Sequence, residues 1–174
     1  RNSIFKKEKN RYIISEIQFL LQKQPVLHTD YGAIREVLHQ KQIKQASIED
    51  IANAIIEIRT EKLPDPNKFG NAGSFFKNPS VSQVLFDQLK AAHPNLVAYP
   101  ISNSEYKIAA GWLIEQAGWR GKKQGPVGCY EKQALVIVNY DHATGKEIYD
   151  FSEDIIQSVS KMFNIQLERE VNII

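Results

Sequence analysis

The chain has 174 residues, 43% of them hydrophobic and 24% charged, an ordinary globular composition with enough material for a real core, which argues against disorder. A formal charge of +2, with Lys and Arg spread among acids, gives no support to a nucleic-acid surface, and no apolar run is long enough to span a bilayer. One cysteine rules out an intrachain disulfide framework and fits a reducing, cytoplasmic setting.

In chain order, RNSIFKKEKN reads as a polar lead-in without a signal peptide's order of basic head, apolar middle and small-residue cleavage site. Arg1 in place of a methionine is expected to mark the middle of a longer protein. Tyr12 to Leu21 is rich in β-branched and aromatic residues with partial alternation, the pattern of a strand packed on at least one face, and Pro25 closes it. Thr29 and Asp30 offer a cap for a short helix in YGAIREVLHQK, where Ile34, Val37 and Leu38 fall at helical spacing. Ser47 with Asp50 three residues later resembles a capping box, and Ile48, Ile51, Ile55 and Ile58 form one apolar stripe on a helix ending near Thr60. The stretch LPDPNKFGNAGSFFKNP, dense in Pro, Gly and Asn yet containing Phe75 and Phe76, predicts a loop that runs into a short strand.

Ser80 or Ser82 can cap a helix through Leu89, and after Pro94 the segment Leu96 to Ile101 resumes as a strand. Lys107 to Gly118 predicts a helix closed by Gly118 as its left-handed cap, and WRGKKQGPVGCYEKQ is turn-rich and basic. Ala134 to Tyr140 is a continuous apolar strand, Thr144 starts a long amphipathic helix to about Phe163, and Ile165 to Ile174 ends as another strand. The fold class expected is therefore α+β, a mixed or antiparallel sheet covered by helices.

Generic catalytic signatures are missing: there is no Walker loop, no GxGxxG, no HExxH and no paired CxxC. His28, His39, His93 and His142 are far apart and read as surface or loop histidines, so no metal site is expected. Cys129 has no histidine base near it in sequence and reads as a small buried residue. The loop GNAGSFFKNP is different, because Gly70 and Gly73 allow unusual backbone angles and close approach of a ligand while Asn71, Ser74, Lys77 and Asn78 supply hydrogen-bonding groups. A β-turn with a buried Phe pair accounts for the same residues.

RTEKLPDPNKFGNAGSFFKNP resembles the serine-bearing loop of the UDP-N-acetylenolpyruvoylglucosamine reductases, and KIAAGWLIEQAGWRGKKQGPVGCYEKQALVIVN resembles a second signature of that family. The two stand in the family's order, and a looser likeness runs from RNSIFKKEK to LEREVNII. The resemblance implies a substrate-binding domain over residues 26–174, with residues 1–25 as a junction strand from a flavin-binding half that would precede Arg1. It implies an oxidoreductase of peptidoglycan precursor synthesis, in which reduced FAD gives hydride to UDP-N-acetylglucosamine enolpyruvate, yielding UDP-N-acetylmuramate, and NADPH refills the flavin.

The family's serine proton donor maps onto Ser74 and its catalytic glutamate onto Glu170. Tyr31 in DYGAI resembles the tyrosine that closes over the substrate, Lys62 in EKLPDP matches the diphosphate-contacting lysine, and Asn78 and Gln133 match further polar contacts. Arg120 stands where some members have a diphosphate-directed lysine, which keeps the charge and changes the geometry. Arg59 corresponds to an arginine that faces the flavin. Read without the family, Glu170 is an exposed strand residue, and Tyr31, Lys62, Arg59 and Arg120 are amphipathic surface residues. Lacking the flavin-binding half, the chain is expected to be inactive alone. A free-standing UDP-sugar-binding module is the first alternative, and a hydrolase using Cys129 or Ser74 as nucleophile the second.

Overall fold

Residues 3–8, 11–30 and 33–173 are described in a computed structural model, and the chain divides into two units, Arg1–Ile51 and Ala52–Ile174. The first unit contains the single turn α1 (Ile4–Lys7) and the helix α2 (Ile34–Gln40), whose Ile34 and Leu38 stand one turn apart and are both buried. Ala33 is the N-cap of α2 and makes no side-chain cap bond, so Thr29 and Asp30 do not cap it; Asp30 accepts instead from Arg35.

The strand expected over Tyr12 to Leu21 is not formed. Those residues are exposed and have no ladder among the described residues, with Ile13, Phe19, Leu20 and Leu21 all open. Alternation supplies a face to bury, but a strand exists only beside a hydrogen-bonding neighbour, which none of the described residues provides.

The capping box at Ser47 does form. Asp50 accepts from the Ser47 N–H at 2.8 Å and from its hydroxyl at 2.6 Å, and the Asp50 N–H donates to Ser47 Oγ at 3.1 Å. It opens α3 (Ile48–Lys62), where burial centres on Ala54, between Ile51 and Ile58 on the helical net. Ile48 and Ile55 fall at the edge of that face and stay exposed, so the isoleucine stripe is only partly covered.

In the second unit the strands are antiparallel and make two sheets. One has the order β1 (Gly70–Ser74), β7 (Gln133–Asn139), β6 (Val127–Tyr130), β5 (Lys123–Gln124). The other places β4 (Glu105–Ile108) between β2 (Ser80–Ser82) and β3 (Ala98–Pro100). The basic, turn-rich stretch thus holds the β5–β6 hairpin, with Val127, Gly128 and Cys129 buried.

Ser82 caps α4 (Gln83–Ala92) by accepting from the Leu85 N–H at 3.4 Å. Next comes α5 (Ala110–Gln116), shorter than expected because Lys107 and Ile108 belong to β4. It ends in a Schellman turn: Gly118 has φ +79°, its N–H donates to Glu115 O at 3.0 Å, and the Trp119 N–H donates to Ile114 O at 3.1 Å. Thr144 and Glu147 form a full capping box at the start of α6 (Gly145–Phe163).

The helices α5 and α6 pack on the β6–β7 pair and on each other, which buries Phe76, Ile108, Leu113, Ile114, Ile155 and Val159 completely. The α+β class with helices over sheet therefore holds. The last expected strand does not: Ile165 and Leu167 are buried, but residues 165–173 contribute one antiparallel bridge, Phe76 to Arg169. Among the described residues no helix is long and apolar enough to cross a membrane.

Candidate functional site

The Gly-rich loop is shaped by local hydrogen bonds. Asn71 Oδ1 accepts from the Gly73 N–H at 3.1 Å while Asn71 Nδ2 donates to Phe69 O at 3.1 Å, and Gly73 takes φ +70°, a left-handed conformation open to glycine at little cost. The ladder with β7 shifts register between Asn71 and Ser74, which pairs Ser74 with Val136. No Cβ clash explains Gly73, so backbone conformation and not close approach is its reason. Gly70 has no positive φ and is an ordinary strand residue.

Of the four polar side chains in the loop, three have partners. Asn71 is bonded within the loop, Lys77 pairs with Glu168, and Asn78 Oδ1 accepts from the Ala110 N–H at 3.0 Å. Ser74 is exposed and its hydroxyl makes no hydrogen bond among the described residues. Its neighbour Phe75 is held on both sides: the Phe75 N–H donates to Leu135 O at 2.9 Å, and the Glu170 N–H donates to Phe75 O at 2.8 Å. Glu170 thus lies across from the residue next to Ser74, although 96 positions separate the two in sequence (170 − 74). Its carboxylate is half-buried, with Oε2 shielded from solvent.

Asn78 and Gln133 meet at the first turn of α5. Asn78 takes the Ala110 N–H, one of the donors a helix start leaves without an intrahelical partner, and Gln133 Oε1 lies 3.1 Å from where a Cβ on Gly111 would stand. Gln133 is three residues along β7 from the partner of Ser74, roughly 10 Å at the usual strand rise. Ser74, Glu170, Asn78 and Gln133 are therefore gathered around one stretch of β7.

Arg120 sits nearby and is engaged: Nε donates to Glu131 O at 2.6 Å and Nη1 donates to Glu115 Oε1 at 2.7 Å. Glu115 offsets part of its charge. Lys62 and Arg59 occupy the last turn of α3, both exposed and with no side-chain hydrogen bond or ion pair among the described residues. Their charges complement the negative end of the helix whatever else they do. Tyr31 lies outside the described residues. A hollow of about 730 Å³ in the first unit, lined by Leu27, Arg35, Leu38, His39, Ile43 and Lys44, includes none of the described residues to which the resemblance gives a site role.

Burial pushes the Cys129 thiol up to about 12, against a smaller opposing pull from Lys122, so it is protonated at neutral pH. The side chain is fully buried in β6, which removes it as a nucleophile. What sequence reasoning missed is Arg169 with its acceptors on α6, Ser152 and Glu153. The one available signal was a serine at a core position of an amphipathic helix.

Residues 65–174 match the family model described as UDP-N-acetylenolpyruvoylglucosamine reductase, C-terminal domain. The chain is similar to the UDP-N-acetylenolpyruvoylglucosamine reductase of Pseudomonas fluorescens (strain Pf0-1), 46% identical over 172 residues, covering 99% of this chain and 51% of the relative. The reductase of Bdellovibrio bacteriovorus is 47% identical over 171 residues, 98% of this chain and 50% of that protein. The reductase of Amoebophilus asiaticus is 47% identical over 175 residues, 100% of this chain and 52% of its own length. The chain spans about half the length of the curated relatives it matches.

Proposed function

Since the chain belongs to the UDP-N-acetylenolpyruvoylglucosamine reductase family through that family's C-terminal domain, we propose that it is the substrate-binding part of a flavin-dependent reductase of peptidoglycan precursor synthesis. The substrate is UDP-N-acetylglucosamine enolpyruvate and the reductant NADPH. The observation that supports this reading best is the 2.8 Å bond from the Glu170 N–H to Phe75 O, which holds Glu170 across from the residue that follows Ser74.

In this reading the Ser74 hydroxyl gives its proton to the enolpyruvyl carbon that bears the carboxylate. An enolate is a strong base, so a poor acid suffices if it is well placed, and the serine, exposed as it is, regains a proton from solvent. Glu170 lies against the same reacting group, with its Oε2 shielded from solvent. Asn78 and Gln133 supply polar contacts to the sugar nucleotide from the α5 side, while Lys62 and Arg120 meet its diphosphate and Tyr31 closes over it.

Hydride for the other enolpyruvyl carbon would come from a flavin when one is bound. Arg59, exposed on the last turn of α3, is a single cation and can touch such a group without holding it. Holding FAD is accordingly proposed for the flavin-binding half of the full-length protein.

The test has two arms. Calorimetric titration of the 174-residue chain with UDP-N-acetylglucosamine enolpyruvate is expected to give saturable binding that a pyrimidine-free sugar phosphate does not reproduce. In the full-length protein, Ser74→Ala is expected to lower substrate-dependent NADPH oxidation by about 10²–10⁴-fold. Full turnover in Ser74→Ala would remove the proton-donor role, and absence of turnover in the parent would remove the reductase reading.

A further inference from the structure

The segment that carries Glu170 has no element of its own to fix it, since among the described residues neither helix nor ladder continues beyond the bridge at Arg169. On one side it is tied to the Ser74 loop by two backbone bonds, Lys77 N–H to Glu168 O and Glu170 N–H to Phe75 O, both 2.8 Å. On the other side it is tied to α6 through one side chain. Arg169 Nε donates to Ser152 Oγ at 2.8 Å and Nη2 donates to Glu153 Oε2 at 2.7 Å, while the guanidinium carbon lies 4.3 Å from the Tyr149 ring centroid.

Ser152 is fully buried, and its hydroxyl donates to Tyr149 O at 2.6 Å, so its oxygen is turned to accept from Arg169. A planar guanidinium held by two acceptors and a ring face has one orientation, which an aliphatic or ammonium side chain would not reproduce. Successive residues of an extended segment point to opposite sides. With the Arg169 side chain committed to α6, the Glu170 side chain is directed away from it.

We propose that Arg169 is a positioning residue that sets the placement of the Glu170 carboxylate by anchoring the chain one residue earlier to Ser152, Glu153 and Tyr149 of α6. The inference rests on the reading of Glu170 as a residue of the reductase site. The two backbone bonds fix the segment along the loop, and the guanidinium fixes its rotation about that line. Misplacement by about 1 Å is enough to cost a reaction about 10²-fold, so the anchor acts on turnover through Glu170.

The test uses the full-length protein. Arg169→Ala is expected to lower kcat by about 10- to 100-fold with KM little changed, and to move the acid limb of the kcat pH profile. Arg169→Lys, which keeps the charge and one bond, is expected to recover part of the loss, and Glu153→Gln to show a smaller fall in the same direction. A folded Arg169→Ala protein with the parent's kcat and pH profile, or with its loss confined to KM, would overturn the proposal, even if its melting temperature had dropped. If Arg169→Ala does not fold, Glu153→Gln decides, and an unchanged kcat and pH profile there overturns the proposal. A parent without turnover is a separate result that overturns the functional reading itself.

Discussion

With the Cys129 thiol pushed up to about 12, roughly one molecule in 10⁵ carries the thiolate at neutral pH. Thiol reagents are expected to label the native chain very slowly at pH 7 and completely once it is unfolded. Rapid native labelling would mean that β6 opens readily. The folded state favours the neutral thiol, so its contribution is fully present below the ordinary thiol value of 9.0 and declines as pH rises from there toward 12. Cys129→Ala should remove that alkaline component of the stability profile, as followed by urea unfolding. At Lys62 the reasoning concerns binding: an exposed ammonium without an intramolecular partner among the described residues is free for a diphosphate. Lys62→Ala should weaken UDP-sugar binding by about 1 to 3 kcal/mol in a calorimetric titration, and an unchanged affinity would take Lys62 out of the site.

The start of α6 is set by a reciprocal cap. The Thr144 N–H and hydroxyl both donate to Glu147 Oε2 at 2.8 Å, and the Glu147 N–H donates back to Thr144 Oγ1 at 3.3 Å. The backbone bond first, and the hydroxyl bond second, hold the Glu147 carboxyl below its ordinary value of 4.5. That contribution is present above the ordinary value and is lost as pH falls through the folded one. Thr144→Ala should cost about 1 kcal/mol in urea unfolding at neutral pH, and the difference should narrow without vanishing on the acid side, because alanine keeps the backbone bond to Glu147 and the lost bond from the Glu147 N–H to Oγ1 does not depend on pH. This cap, the one at Ser47 and the Gly118 terminus were legible in the sequence because each is complete within a few residues. The pairing of β2 with β4 and the bridge from Phe76 to Arg169 were not, since each joins segments well separated in the chain and no local pattern encodes the partner, whereas β3 and β4 form a local hairpin. Tyr12 to Leu21 shows the converse, a strand pattern left without a ladder. Ser74 and Glu170 were named through family resemblance, while the residues alone left the loop open between a ligand-approaching loop and a turn with two buried phenylalanines. Ser152 escaped notice because a polar residue in an amphipathic helix is ordinarily assigned to its wet face.

For the whole chain, resistance to opening should follow hydrogen bonding and burial. In the second unit β7 is paired on both edges and its residues Ala134, Val136, Ile137 and Val138 are buried, with α5 and α6 packed on the β6–β7 pair. In the first unit Tyr12 to Leu27 has neither ladder nor burial. Hydrogen exchange of the 174-residue chain should therefore give the slowest amides in β6, β7 and α6, and the fastest in Tyr12 to Leu27. The Lys77 and Glu170 amides, which donate across the same short bridge, should open together. Protection of Tyr12 to Leu27 as strong as that of β7 would mean the segment has found strand partners in solution. Its open side chains Ile13, Phe19, Leu20 and Leu21 would then be covered as well, and a second copy is the partner a dilute solution offers. Such protection would weaken on dilution, whereas pairing within one chain would not, so repeating the exchange across a concentration series separates the two.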